Sequence, residues 1–90
     1  MTHPQYRVEF ARPATRELAR LRADEAVRLR QPIFELSFEP RPVGARRVVG
    51  TPYLRIRIGE VRVVYLVDDE HLLVAIEQIA RRSERTYRRL

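Results

Sequence analysis

The chain contains no cysteine and no lysine. The first absence excludes disulfides, thiol catalysis and thiolate metal sites, and it agrees with an intracellular, cytoplasmic setting without establishing one. The second means that all 18 basic residues are arginines, set against 12 acidic ones for a net charge of +6. A surface of that sign attracts polyanions through its long-range field and through release of condensed counterions. The positive excess carries this signal, whereas the choice of arginine over lysine does not. Long apolar runs are also missing. None approaches the ~18 residues of a membrane span, and the opening residues MTHPQYRVEF lack the apolar core of a signal peptide. Histidine is scarce, with only His3 and His71, and with no second ligand or acid/base partner evident from the spacing both read as solvated bystanders.

Ninety residues, 44% hydrophobic and 33% charged, suit one globular domain over residues 1–90 with one modest core. No internal repeat, linker or low-complexity segment divides it.

The most informative stretch runs from Tyr53 to Val67. Apolar and polar residues alternate through Tyr53-Leu54-Arg55-Ile56-Arg57-Ile58, the period of a strand with one buried face. Gly59-Glu60 is a two-residue turn with glycine first, as in a type II′ hairpin, and Val61 to Val67 is a β-branched return strand. Closing the hairpin there sets Ile58 opposite Val61, Arg57 opposite Arg62, Ile56 opposite Val63 and Arg55 opposite Val64. Arg55, Arg57 and Arg62 then share one face. Leu54, Ile56, Ile58, Val61, Val63 and Tyr65 share the other. Like charges facing each other across strands are unfavourable by some fraction of ~0.2–1 kcal/mol. One explanation is an anion held among the guanidinium groups, phosphate being the natural fit to their planar forks. The other is simple decoration of a solvated face.

Around this hairpin, Tyr6-Arg7-Val8-Glu9-Phe10 reads as a short strand. Pro13 opens a short amphipathic helix to about Arg22, with Ala14, Leu18 and Leu21 inward. Asp24 is the expected N-cap of a second helix reaching about Phe38, whose apolar residues are Val27, Leu29, Ile33, Phe34 and Leu36. Pro32 predicts a kink or break near Leu29 to Gln31. Glu39 to Gly44 is loop chemistry, and Arg46 to Val49 reads as a short strand. Asp68 to His71 is a polar turn rather than a metal site. Leu72 to Ile76, apolar on both faces, is an interior strand, and the tail from Arg81 to Leu90 holds five arginines. The expected fold is therefore α+β: an N-terminal strand, with two helices on one face of a mostly antiparallel sheet of four or five strands.

This order of elements, with residues 53–67 and the Arg/Tyr tail, resembles the RelE/ParE family of bacterial toxins from type II toxin–antitoxin pairs. The family segment is an aromatic, a basic, an aliphatic and a basic residue, then Gly and Tyr-Arg-Val-aliphatic-Tyr. Here Leu54-Arg55-Ile56-Arg57, Gly59 and Val61-Arg62-Val63-Val64-Tyr65 stand at those places. The resemblance to the RelE branch implies a ribosome-dependent messenger endoribonuclease that uses neither metal nor cofactor. In that reading Arg55 and Arg57 hold the scissile phosphate and Arg62 adds a further phosphate contact. Arg81 or Arg82 aids the leaving group, and Tyr87 stacks on a base. The implied partners are a cognate antitoxin protein and mRNA on the ribosome, with DNA gyrase in place of the RNA if the chain follows the ParE branch. A non-catalytic basic module that binds nucleic acid or the ribosome is the third reading. Ala80 and Val61 depart from the family's glycine and tyrosine. Arginine, with a pKa above ~12, cannot serve as a general base, so proton removal would fall to Tyr87, Glu84, Glu60 or the ribosome.

Overall fold

A computed structural model describes residues 5–81. Seven elements follow in order: β1 (Arg7–Phe10), α1 (Arg12–Ala19), α2 (Ala23–Glu35), β2 (Arg46–Arg47), β3 (Leu54–Ile58), β4 (Val61–Asp68) and β5 (Leu73–Arg81). The strands form one sheet in the order β1-β5-β4-β3-β2. Only β1 runs parallel to its neighbour, β5; the other three pairings are antiparallel. No helix among the described residues is long and apolar enough to cross a membrane.

The two helices lie on one face because their apolar stripes and that of the hairpin close over each other. Ala14 of α1 and Leu29 and Ile33 of α2 join Ile56, Val61, Val63, Tyr65, Val74, Ile76 and Ile79 in one buried cluster. Leu18 and Leu21 pack against its margin. Val27 and Phe34, by contrast, are more than half exposed on the outer side of α2.

The helix ends differ from the sequence expectation in instructive ways. α1 stops at Ala19, and Leu21 reaches the core from the turn that follows. The N-cap of α2 is Arg22 rather than Asp24, because the Glu25 carboxylate, three residues on, accepts the Arg22 backbone N–H at 3.1 Å. Asp24 sits in the first turn, where its charge favours the positive end of the helix dipole. Pro32 does not break α2. The helix absorbs one missing hydrogen bond and continues to Glu35, held by Ile33 and Leu36, which are buried on either side of its last turn. It then unwinds through tight turns, where Ser37 donates its hydroxyl to the Phe34 carbonyl at 2.6 Å.

The hairpin has the register read from its alternation. Ile58 faces Val61, Arg57 faces Arg62, Ile56 faces Val63 and Arg55 faces Val64. Gly59 has φ of +63° while Glu60 has a negative φ, as a type II′ turn requires. The β4–β5 pairing contains a bulge at Val64/Tyr65, where Val64 faces Gln78 but Tyr65 faces Ile76, so Glu77 is the extra residue. At the far end of the sheet two polar contacts replace packing. The buried Tyr65 hydroxyl donates to the Pro40 carbonyl at 2.7 Å, and burial pushes its pKa up to about 12. Asp69 accepts the Tyr6 hydroxyl at 2.6 Å and both Arg41 Nη atoms, at 3.1 and 2.9 Å. Within the turn itself, Asp68 Oδ1 accepts the His71 backbone N–H at 3.1 Å.

Two stability outcomes follow. Tyr65→Phe leaves the Pro40 carbonyl without its donor and is expected to cost about 1–2 kcal/mol in denaturant unfolding. The Arg41 guanidinium, then the Tyr6 hydroxyl, hold the Asp69 carboxyl below its ordinary 3.8. A depressed carboxylate stabilises above its unfolded pKa and loses that contribution as acid carries the pH through the lowered value. The melting temperature should therefore fall less steeply in acid for Asp69→Asn than for the wild type.

Candidate anion-binding face and family

The face of the sheet turned away from the helices carries the arginines. Arg57 and Arg62 are directly opposed on β3 and β4, and Arg55 lies two residues before Arg57 on the same face. β2 extends the row, since Arg46 pairs with Arg55. Arg55 and Arg62 are half-buried and Arg57 is exposed. With Arg47, Val48 and Val49 they line an open cleft of about 410 Å³.

The residues around the cleft explain its shape. Val64 and Gln78 are buried on this face, so the guanidinium stems stand on a packed floor rather than in bulk water. From the side, the segment after β2 turns back at Gly50, with φ of +77°, and the Val48 N–H donates to the Tyr53 carbonyl at 2.9 Å. That turn holds Val49 at the rim, 94% exposed. Arg47 donates to the Thr51 carbonyl at 3.4 Å, and Arg46 donates to the Val43 and Ala45 carbonyls, both at 3.0 Å. Arg47 is a cleft residue that reading the sequence missed. Its signal was the adjacency of Arg46-Arg47 to the hairpin, but two residues are too few to reveal a pairing register.

Arg81 is not part of this cluster. It faces Val61 across β5 and β4, on the helix side of the sheet, and its guanidinium binds Glu25 of α2 through Nη2 at 3.0 Å and Nε at 3.3 Å. The bulge is the cause: it shifts the alternation of β5, so that Ile79 and Arg81 point to the core while Ala80 lies beside Arg62. Of the two tail arginines, Arg81 is thus turned away from Arg55, Arg57 and Arg62. Arg82 and Tyr87 lie outside the described residues.

The cluster can bind an anion but cannot take up a proton. It offers planar donors fixed on a sheet, suited to phosphate and to developing negative charge.

The family model described as the ParE toxin of the type II toxin–antitoxin system, parDE, matches residues 8–86. The chain belongs to this RelE/ParE-type toxin family. Solved structures agree in fold. RelE in the archaeal RelE–RelB complex from Pyrococcus horikoshii OT3 superposes with a TM-score of 0.78 at 24% identity, covering 89% of this chain and 98% of that one. The toxin–antitoxin complex RelBE2 from Mycobacterium tuberculosis gives 0.76 at 30% identity, over 87% and 99%. Isolated Escherichia coli RelE gives 0.78 at 21%, over 88% and 86%. A search of curated proteins finds no match.

The arginine cluster of this toxin-family chain predicts opposite effects on stability and binding. Arg57→Thr removes a like-charge opposition and should raise stability by a few tenths of a kcal/mol, up to ~1. The same change should weaken binding of a short single-stranded RNA and reduce the slope of log K against log salt by about 0.7. Urea melts and salt-titrated anisotropy check the two arms.

Proposed function

We propose that this toxin of a type II toxin–antitoxin system is a ribosome-dependent endoribonuclease that cuts messenger RNA. The observation that carries the reading is the opposition of Arg57 and Arg62 with Arg55 on the same face, which gathers three planar guanidinium groups suited to a phosphate. Likeness to RelE toxins in fold supports it.

In this reading the ribose 2′-oxygen attacks the adjacent phosphorus and the P–O5′ bond breaks. The products are a 2′,3′-cyclic phosphate and a 5′-hydroxyl. The proton lost from the 2′-hydroxyl goes to a base, and the departing O5′ gains one. Arg55, Arg57 and Arg62 hold the phosphate and stabilise the charge that builds on its oxygens, an electrostatic contribution that requires no proton transfer. Since Arg81 is bound to Glu25, Arg82 is the tail arginine assigned to the leaving group, and Tyr87 is assigned to stacking on a base. The base is drawn from Tyr87, Glu84, Glu60 or the ribosome.

The partner is a cognate antitoxin, as several relatives are described as complexes with RelB antitoxins. It is expected to be acidic where it crosses the arginine face. A second reading, inhibition of DNA gyrase, is favoured by the family description itself, which names ParE.

Arg62→Ala combined with Tyr87→Phe should abolish toxicity while antitoxin binding survives. Mapping 5′ ends of cellular messages after induction is the deciding measurement. New ends within coding sequences support the ribonuclease reading. DNA damage with trapped gyrase complexes and intact messages would replace it with the second reading, and a double variant as toxic as wild type would refute the residue assignment.

A further inference from the structure

β5 outruns its outer neighbour. β1 ends at Phe10 opposite Ile76, and the last bond from that side is the Ala11 N–H to the Ile76 carbonyl at 2.8 Å. Residues 77–81 therefore continue past β1, bulged at Glu77 and paired only with β4. Two helix carboxylates stand where a strand would be. Glu17 of α1 accepts the Ile79 backbone N–H at 2.8 Å. Glu25 of α2 holds the Arg81 guanidinium at two points while its Oε1 also accepts the Arg22 N–H at the start of the helix. Glu25 is only 7% exposed.

Desolvating a carboxylate to make such a pair adds little net stability, and well-packed apolar residues often do as well. What the pair does supply is direction. The stretch it fixes, Ile79 to Arg81, lies directly against Val63, Arg62 and Val61, so it sets the strand beside Arg62 and the point from which the chain continues to Arg82.

We propose that Glu17 and Glu25 are positioning residues: pinning Ile79 and Arg81 to the helices, they fix Arg62 and the exit of the tail for the toxin's chemistry. The inference rests on the ribonuclease reading for its kinetic arm alone. Arg81 acts through Glu25 and does not touch the substrate.

A double-mutant cycle on the full chain tests this. Glu25→Gln and Arg81→Gln should each lower kcat for cutting ribosome-bound message about tenfold with KM and salt dependence unchanged. The double variant should be no slower than the slower single one, because both remove the same contact. Multiplying effects, or a change in KM and salt slope for Arg81→Gln alone, would overturn the proposal by making Arg81 an RNA contact. If either chain does not fold, Arg81→Lys, which keeps the charge but loses the two-point contact, takes its place. Amide hydrogen exchange is independent of the target. Exchange about tenfold faster at the Ile79 amide in Glu17→Ala, which removes its acceptor, with elements distant from β5 unaltered, supports that pin even if the wild type cuts no message. Unchanged exchange at Ile79 would overturn it.

Discussion

Everything in this structure depends on the parity of a single hairpin. Because side chains alternate strictly along a strand, burying Ile56, Val61, Val63 and Tyr65 against the helices forces Arg55, Arg57 and Arg62 onto the opposite face. A slip of one residue at Gly59-Glu60 would bury three guanidinium groups and expose the core. The turn permits only one register, since the positive φ at Gly59 suits the residue that stands there. Core and candidate site are thus two faces of one constraint, and the hydrophobic face determines where the cations go.

That coupling explains how much could be read from the sequence. The hairpin register, the order of elements and the one-sided placement of the helices depend on local periodicity and turn chemistry, which are visible in the residues themselves. The places where the reading went astray depend on contacts between distant segments. Asp24 looks like a cap until Glu25 is seen to reach back to Arg22. Pro32 points to a kink or a break, and of the two the break does not occur, because Ile33 and Leu36 are anchored in the core. Val27 and Phe34 sit at helical spacing with the core residues yet face outward, because the stripe that fits the sheet is narrower than the apolar content of α2.

Arg81 is the sharpest case. Counting along β5 by twos from Val74 would give a different facing for residue 81 from the one it has, because the bulge at Glu77 inserts one residue between Ile76 and Gln78. Nothing in Leu73-Val74-Ala75-Ile76-Glu77-Gln78-Ile79-Ala80-Arg81 marks that insertion. Glu25, which holds Arg81, and Glu17, which accepts the Ile79 N–H, lie more than fifty residues upstream on two helices. Sequence spacing alone left Arg81 and Arg82 equivalent; the register past the bulge and the contact with Glu25 turn Arg81 away from Arg55, Arg57 and Arg62, while Arg82 lies outside the described residues.

The same physics bears on why such a face would be kept in a small domain with one core. Opposed guanidinium groups repel each other across the strands, and a cluster that cannot deprotonate offers no acid/base chemistry of its own. A polyanion offsets the first of these and leaves the second to another group. Phosphate oxygens convert the like-charge opposition into convergent charge-assisted hydrogen bonds, and fixed donors require no reorganisation as negative charge grows. An acidic protein segment would satisfy the same groups. On the proposed ribonuclease reading, an antitoxin that is acidic where it crosses this face would compete with the RNA for the same guanidinium groups.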